Sequence, residues 1–471
     1  GTLSTGITAK RKSLFLFFYC SAKVISAMRN HLSPPQILFL GFLSFILGGA
    51  LLLMLPMSTT KSISFVDAVF TSTSAVCVTG LVVLDTPVDL TFFGQVIIML
   101  LIQLGGLGYM TSATIISLMI GKRIGLGERL IMKEALNVLS MEGVVKFTKA
   151  VLATVLIFEM SGTLLLTIRF AFEYPLDRAF FLGLFHSVSA FNNAGFSLFS
   201  DNLVRYRGDI VINLVITTLI ICGGIGFIVI SDVFMFAQKK VKRLSMHTKL
   251  VLSTTGILLV VGTVLVFLFE FDNPKTLANA PFLEQLLASY FASVTPRTAG
   301  FNTIDYSLFG FETLFLTIIL MFIGASPGST GGGIKTTTFA IILASLWAML
   351  RGLTDTVMFK RRISHETTAK ALLMVSLAAV LVIVATFLIM RTQGTPFLPA
   401  IFEVTSAFGT VGLSVGDGGV RSLSALYTPF GKYLISLVMF AGRLGPLTLA
   451  VAIIVQKEAH FRYPEGKVII G

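Results

Sequence analysis

Four short segments of this chain repeat one pattern at nearly even intervals along an apolar sequence. Their late glycines lie 115, 105 and 112 residues apart. Repetition at a fixed period is typical of folds assembled from equivalent units, so the copies predict four-fold pseudosymmetry. The segments are Ser-Ala-Val-Cys-Val-Thr-Gly-Leu (74–81), Ser-Ala-Phe-Asn-Asn-Ala-Gly-Phe (189–196), Ser-Val-Thr-Pro-Arg-Thr-Ala-Gly-Phe (293–301) and Ser-Ala-Phe-Gly-Thr-Val-Gly-Leu (406–413).

The composition places these repeats in a lipid bilayer. The chain is 55% hydrophobic and 13% charged, whereas soluble domains carry about 25% charged residues. Its uncharged runs reach the roughly 20 residues that a helix needs to cross a bilayer. The sequence therefore predicts an integral membrane protein. The runs include Gln36–Thr60, Leu90–Ile120, Leu250–Phe269, Thr313–Ile334 and Ala371–Met390.

Cysteine chemistry and secretion signals add little. Cys20, Cys77 and Cys222 are far apart in the sequence, which argues against a disulfide framework or a zinc site. The apolar stretch 15–19 is soon interrupted by Lys23 and Arg29, so no cleavable signal peptide is predicted.

Each repeat is predicted to hold a long apolar segment, a short segment ending at the glycine loop, and a second long segment. As helices the short segments would reach only about 15–20 Å, too little to span. Each should enter from outside as a pore helix and leave as extended backbone, which is tolerated at that depth where it lines a water-filled path. The short segments are Phe65–Val76, Ala179–Phe191, Phe282–Val294 and Pro399–Phe408.

The expected fold is thus an all-α polytopic membrane protein with four parallel repeats around a central pore. It comprises eight spanning helices and four re-entrant half-helices. The first long segments lie near 36–57, 150–170, 248–270 and 369–391, and the second near 91–120, 210–237, 313–347 and 430–455. The predicted divisions are a cytoplasmic N-terminus (1–35), repeats 1 to 4 (36–120, 121–237, 238–348 and 349–455) and a cytoplasmic C-terminus (456–471).

The net charge of +13 is explained by topology. With the N-terminus cytoplasmic, the cytoplasmic segments carry 24 of the 36 basic residues and only 7 acids, whereas the outer side holds 10 basic and 14 acidic residues. The positive-inside rule selects this orientation, with both termini cytoplasmic. The acidic outer surface concentrates cations near the loops, and binding of nucleic acid is not predicted.

The four loops have the chemistry of a cation filter. A cation that loses water must recover oxygen ligands, which four backbone segments around an axis can supply through their carbonyls. Glycine accepts backbone angles closed to other residues, and the C-terminal ends of the pore helices favour positive charge. The predicted filter residues are Val78, Thr79, Gly80, Asn193, Ala194, Gly195, Thr298, Ala299, Gly300, Thr410, Val411 and Gly412.

The loops resemble the filter motifs of the Trk/Ktr/HKT superfamily of potassium transporters, over essentially the full length. The lack of extra N-terminal spans and the closing segment 462–471 are similar to the bacterial Ktr-type membrane subunit. The resemblance implies a potassium-translocating homodimer in the bacterial plasma membrane, with one pore per protomer, on a cytosolic nucleotide-binding regulatory ring. It also implies that Gly80 marks the potassium-selective type, since relatives with serine there favour sodium. Potassium is the expected cargo, with sodium a second candidate and no organic cofactor.

The second long segment of the third repeat differs from the equivalent segments of the other three repeats. Thr313–Leu350 is 38 residues long, and its centre is too rich in glycine and proline for a regular helix. Broken backbone here must be buried or face the cavity. The family resemblance implies an intramembrane gating loop. A phosphate loop is a weaker alternative, because Ile334 separates the last glycine from Lys335. The candidate gate comprises Gly324, Ala325, Ser326, Pro327, Gly328, Ser329, Thr330, Gly331, Gly332, Gly333 and Arg443.

Arg443 lies deep inside the last span, where a charged side chain is costly and faces the bundle interior or water. The alternatives are an ion pair with Glu159, an electrostatic barrier, or a hydrogen-bonding latch on the 324–333 loop. Lys335 is expected to mark the cytoplasmic end of that loop. His186 and Glu403, both in pore helices, are expected to make supporting polar contacts rather than bind ions.

Similar glycine groups in the second long segments follow the filter glycines at roughly equal intervals. They include Gly105, Gly106 and Gly108 in the first repeat and Gly223, Gly224 and Gly226 in the second, with Gly442 and Gly445 in the fourth. Close helix packing is their expected role.

Two other classes of transporter remain open alternatives. The translocating subunit of an ATP-driven pump can also carry four such loops, and it would need a second chain for ATP hydrolysis. A secondary carrier is expected to have inverted repeats, whereas these repeats are parallel. No hydrolase triad supports an enzyme.

Overall fold

A computed structural model describes residues 34–108, 144–416 and 421–453, and this part of the chain is mostly helical. The α-helices are α1 (Pro34–Leu53), α2 (Phe65–Val76), α3 (Thr86–Asp89), α4 (Phe92–Leu107), α5 (Val144–Phe170), α6 (Leu176–Phe191), α7 (Ile210–Ile225), α8 (Phe227–Ala237), α9 (Met246–Glu270), α10 (Phe282–Val294), α11 (Phe311–Phe322), α12 (Thr336–Leu350), α13 (His365–Gln393), α14 (Phe397–Gly409), α15 (Pro429–Leu444) and α16 (Pro446–Ile453). Three 3₁₀ turns cover Val204–Tyr206, Tyr306–Leu308 and Leu423–Leu426. Strands β1 (Val357–Met358) and β2 (Arg361–Arg362) pair antiparallel, Val357 opposite Arg362.

Four short helices form where the sequence predicts pore half-helices, and we call them the pore helices. Helices α2 and α10 coincide with their predicted segments, while α6 and α14 begin a few residues earlier. At the start of α2 the Ser64 hydroxyl accepts the Asp67 N–H (3.1 Å), satisfying a free N-terminal donor. A proline directly precedes each of the other three, and proline suits a helix start because its missing N–H is not needed there.

Among the described residues four helices, α1, α5, α9 and α13, are long and apolar enough to cross a membrane, and the bent pair α7 and α8 makes a fifth span if counted as one. They carry outward-facing apolar side chains that are largely exposed in the isolated chain, such as Ile157, Val260 and Val380. Lipid is a favourable environment for such a surface, whereas water is not. The chain is therefore an all-α polytopic membrane protein.

The repeats close into a ring around one axis. The first helix of each second segment packs on the pore helix of the next repeat: α4 on α6, α7 on α10, α11 on α14, and α15 on α2. Because the last repeat returns to the first, all four pore helices surround a common centre.

The second segments correct one expectation, that only the third repeat contains a broken span. Helices α7 and α8 meet at Gly226 with a bend of 100°, and Gly445 separates α15 from α16. Helix α4 ends at Gly108, and all three glycines have positive φ, between 78° and 96°. Glycine reaches this region without a steric penalty, which suits these residues to helix ends and bends. The third repeat differs in the length of its interruption, residues 323–335.

A repeated contact that sequence reasoning missed fixes the pore helices to the first long helices. Hydroxyls on three pore helices donate to backbone carbonyls one helix away: Ser72 to Ile46 (2.7 Å), Ser187 to Glu159 (2.7 Å) and Ser293 to Leu259 (2.9 Å). Opposite each serine lies a glycine, Gly49, Gly162 or Gly262, at which a Cβ would come within 2.5 Å of the hydroxyl oxygen. These glycines permit the close approach that the hydrogen bonds require.

Several predictions concern residues outside the described ranges. They include the N-terminal segment with Cys20, most of the loop between the first two repeats, and the closing segment 462–471. The six divisions of the chain also stay predictions.

Candidate functional site

The four glycine loops meet in a ring whose members touch in cyclic order. A Cβ on Gly80 would lie 2.5 Å from the Ala194 carbonyl oxygen of the second loop, and one on Gly195 would lie 2.7 Å from that of Ala299. Likewise a Cβ on Gly300 would lie 2.4 Å from the Val411 carbonyl oxygen, and one on Gly412 would lie 2.2 Å from that of Thr79. Each glycine therefore packs against the carbonyl of the residue that precedes the next glycine of the ring.

The backbone of this ring excludes most side chains at the glycines. The four glycines have φ between 68° and 92°, a left-handed conformation that glycine adopts readily and L-residues rarely adopt. Two residues earlier, Val78, Asn193, Thr298 and Thr410 also have positive φ, between 51° and 73°. The four loops thus share one unusual backbone path, held by the surrounding helices.

Hydrogen bonds to the pore helices hold these loops. In loops one, two and four the residue before the glycine donates its N–H to a serine carbonyl six residues before that glycine: Thr79 to Ser74, Ala194 to Ser189 and Val411 to Ser406, each 2.8 Å. The third loop differs, because Ala299 donates to Thr295 (2.9 Å) instead. Thr295 therefore takes the place of the loop serine, while Ser293 contacts α9.

Outside the ring lies a cavity of about 60 Å³ that all four glycines line. The Asp85 carboxylate also lines it and accepts a hydrogen bond from the Ser200 hydroxyl (2.7 Å). Arg421 lies on the same wall. In the predicted orientation this cavity is the outer mouth of the ring, and a carboxylate such as that of Asp85 favours cations nearby.

On the face of the ring opposite to this cavity, the 324–333 segment lies directly against the loops. The Gly332 N–H donates to the Thr410 hydroxyl (2.9 Å), and the Thr330 N–H donates to the Gly223 carbonyl (3.2 Å). Ser326 donates its N–H to Gly224 (3.0 Å), and Phe227 donates to Gly328 (2.9 Å). The segment is therefore a hydrogen-bonded plug on one side of the glycine ring, the side that the predicted topology places towards the cytoplasm.

Arg443 joins this plug to the first repeat. Its guanidinium donates to the Thr330 carbonyl and to the Gly105 carbonyl, with a longer contact of 3.4 Å to Gly106. Arginine suits this task because its planar fork offers several fixed donors. The geometry agrees with the latch among the three roles considered for Arg443.

A second cavity, of about 570 Å³, lies on the inner side of the plug. Gly331, Lys335, Lys370 and Arg443 are among the residues that line it. The Lys335 ammonium donates to the Gly331 carbonyl (2.7 Å), and Lys335 directly precedes α12. It therefore lies at the C-terminal end of the plug, and its place on the cytoplasmic side stays a prediction. The outer mouth, ring, plug and inner cavity form one candidate path.

The ion pair considered between Arg443 and Glu159 is not formed within the described residues. The Glu159 carboxylate instead accepts hydrogen bonds from Asn192 (2.9 Å) and Gln103 (3.3 Å). Neither amide was singled out from the sequence, because a lone amide in an apolar segment carries no pattern. The three side chains form a buried polar cluster behind the second loop.

His186 and Glu403 make the supporting contacts expected of them. The His186 ring contacts the Leu182 carbonyl (2.8 Å) and the Ser197 hydroxyl (3.0 Å). Glu403 accepts from the Ser414 hydroxyl (2.6 Å) and the Ser424 N–H (2.9 Å). Both side chains therefore fasten pore helices to the outer loops.

Three glycines of the second segments pack on the ends of the pore helices as expected, whereas a Cβ added at Gly108 would have nothing within 4 Å. A Cβ on Gly105, Gly223 or Gly442 would lie 2.0 Å or less from the last carbonyl of α2, the Phe191 carbonyl or the Phe408 carbonyl, respectively. We expect Gly223→Ala to destabilise the fold by roughly 1–3 kcal/mol, the usual cost of overpacking. The control is Gly256→Ala, because a Cβ added at Gly256 would have no neighbouring atom within 4 Å. Thermal unfolding of the detergent-solubilised protein measures both; equal melting temperatures would contradict the packing account.

Known proteins resemble the chain over most of its length. The TrkH family, described as a cation transport protein, matches residues 22–463. The Ktr system potassium uptake protein B of Bacillus subtilis is 46% identical over 95% of this chain and 99% of its own. The protein of that name from Vibrio alginolyticus is 40% identical (93% and 95% covered), and the potassium/sodium uptake protein NtpJ of Enterococcus hirae 39% (94% and 98%).

A solved structure has a similar fold. The potassium transporter TrkH from Vibrio parahaemolyticus superposes with a TM-score of 0.71 over 90% of this chain and 86% of its own, at 19% sequence identity. At that identity the likeness concerns the fold alone.

Proposed function

The chain belongs to the TrkH family of cation transport proteins, and we propose that it is the membrane-embedded, potassium-translocating subunit of a bacterial uptake system. Relatives at 46% and 40% identity are named as potassium uptake proteins, and one at 39% as a potassium/sodium uptake protein. Potassium is therefore the proposed cargo and sodium a second candidate. The chain acts as a pore, not as an enzyme.

The observation that carries this proposal is the ring of four left-handed glycines. Its carbonyls belong to Thr79, Ala194, Ala299 and Val411, each packed against the glycine of the preceding loop in the ring. Backbone oxygens held rigidly around an axis can replace the water that a cation loses. With one glycine per loop the ring is short, so its discrimination between potassium and sodium depends on few ligands.

The plug is proposed as the gate of this pore. It lies between the ring and the inner cavity, and its hydrogen bonds to the pore-helix ends and to Arg443 hold it there. Its burial beneath the filter favours gating over phosphate binding, because a phosphate loop must present its N–H groups to a ligand. Opening requires these hydrogen bonds to break together.

The assembly and orientation are proposed on other grounds. The charge distribution supports cytoplasmic termini in the plasma membrane. The names of two relatives describe one lettered component of a Ktr system, which supports further subunits. We propose a homodimer on a cytosolic nucleotide-binding ring that moves the plug.

Cation flux into liposomes tests the function. The purified chain should carry ⁸⁶Rb⁺ down its gradient without ATP and faster than ²²Na⁺, and empty liposomes serve as the control. Flux that appears only with ATP and a co-purifying P-type ATPase would favour the pump subunit instead. Absence of flux for either ion, in protein that also fails to rescue a potassium-uptake-deficient cell, would refute the proposal.

A further inference from the structure

We infer that the side-chain hydroxyls of Thr298 and Thr410 form a second cation site at the inner end of the filter, which the closed plug occupies with a backbone N–H group. This inference rests on the proposed function. It concerns side-chain oxygens rather than the carbonyl ring, and it makes the plug and the cation competitors for one site.

Side-chain oxygens are concentrated at one level of the filter. Four residues with positive φ lie two positions before the ring glycines. Three of them, Asn193, Thr298 and Thr410, carry a side-chain oxygen, and Val78 does not. The Asn193 amide lies 3.1 Å from the Thr298 hydroxyl. Thr298 and Thr410 are buried, and a threonine hydroxyl offers two acceptor lone pairs. This level can therefore supply oxygen ligands to a cation leaving the carbonyl ring.

The plug covers these hydroxyls with two consecutive glycines. A Cβ on Gly331 would lie 2.1 Å from the Thr298 hydroxyl oxygen, and one on Gly332 would lie 2.6 Å from that of Thr410. Since consecutive Cα atoms are about 3.8 Å apart, the two hydroxyls face adjacent points of the plug. Only residues without a Cβ can come this close.

The plug presents a positively polarised group to the Thr410 hydroxyl oxygen, as a bound cation would. The Gly332 N–H, the positive end of a peptide dipole, donates to the Thr410 hydroxyl (2.9 Å). A cation would use the same oxygen lone pairs, so both cannot occupy them fully. Withdrawal of the plug frees the hydroxyl for the ion.

The backbone at this level accepts a β-branched residue with or without an oxygen, since Val78 has a φ of 56° at the equivalent position of the first loop. Thr410 has φ 51° and ψ 49°, and a β-branched residue is an outlier in this region. Glycine or asparagine would adopt it with less strain. Valine shares the β-branch of threonine but lacks the oxygen, which provides a matched test.

The experiment compares Thr410→Val, Thr410→Ser and Gly332→Ala in liposomes. Thr410→Val should raise basal ⁸⁶Rb⁺ flux roughly fivefold, the factor expected for one net hydrogen bond. It should also lower the preference for Rb⁺ over Na⁺ by a similar factor. Thr410→Ser keeps the hydroxyl and should match the wild type in both measurements.

Gly332→Ala separates the two roles of the hydroxyl. Its Cβ would push the plug from Thr410 and leave the hydroxyl in place, so flux should rise while the preference for Rb⁺ stays at the wild-type value. Equal ion preference for Thr410→Val and Thr410→Ser would overturn the inference, as would lost preference in Gly332→Ala. Failure of the proposed function is distinguishable, because the wild type itself would then carry no selective Rb⁺ flux.

Discussion

Replacing Arg443 by alanine is expected to raise basal ⁸⁶Rb⁺ flux by about tenfold or more. The guanidinium donates to Thr330 in the plug and to Gly105 at the end of α4, and so ties the third repeat to the first. Hydrogen bonds from charged groups contribute about 1.5–3 kcal/mol each, and about 1.4 kcal/mol corresponds to a tenfold change in an equilibrium. Loss of the contact to Thr330 alone therefore shifts the plug strongly towards the open state.

A lysine at the same position distinguishes a latch from an electrostatic barrier. Arg443→Lys keeps the positive charge, but one ammonium group does not reproduce the planar fork that reaches both carbonyls. A latch predicts a flux between those of the wild type and Arg443→Ala, whereas a barrier of charge predicts the wild-type flux. Unchanged flux in Arg443→Ala, with normal expression and a normal melting temperature, would exclude both roles.

The repeat architecture could be predicted because the same sequence pattern occurs in each of the four repeats. A short apolar segment followed by a glycine loop occurs four times, and helices α2 and α10 have the predicted bounds. The latch was also foreseeable as one of three roles, since arginine in a membrane span must find partners. The carbonyls of the 324–333 loop were the expected acceptors of that latch. The individual acceptors, Thr330 and Gly105, could not be chosen from the sequence, because every residue offers a backbone carbonyl.

The cyclic contacts between loops were equally beyond sequence reasoning. That Gly80 meets Ala194 depends on how four pore helices approach one another, a property of tertiary packing. The same holds for the breaks at Gly108, Gly226 and Gly445. Glycine in a span is compatible with both packing and a positive φ, and only the fold decides between them.

Gly80→Ser is expected to raise sodium permeation relative to potassium by about fivefold or more. Gly80 has φ 91°, and a Cβ there would lie 2.5 Å from the Ala194 carbonyl oxygen and 3.1 Å from the Cα of Gly195. Backbone strain of this kind costs about 1–3 kcal/mol, and the ring can relieve it by displacing the carbonyls proposed to coordinate the cation. If those oxygens are the ligands of potassium, their displacement removes its advantage over sodium.

Two controls distinguish an effect on the filter from the general effect of backbone strain at a glycine. Gly394→Ser introduces serine at a comparable φ of 66° with nothing within 4 Å, so the ratio of ²²Na⁺ to ⁸⁶Rb⁺ flux should stay at the wild-type value. Gly80→Ala adds the same Cβ without a hydroxyl. If displaced carbonyls cause the change, alanine and serine raise the ratio alike, whereas a new hydroxyl ligand for sodium would raise it for serine alone. An unaltered ratio in both Gly80 variants would remove the first loop from the selectivity filter.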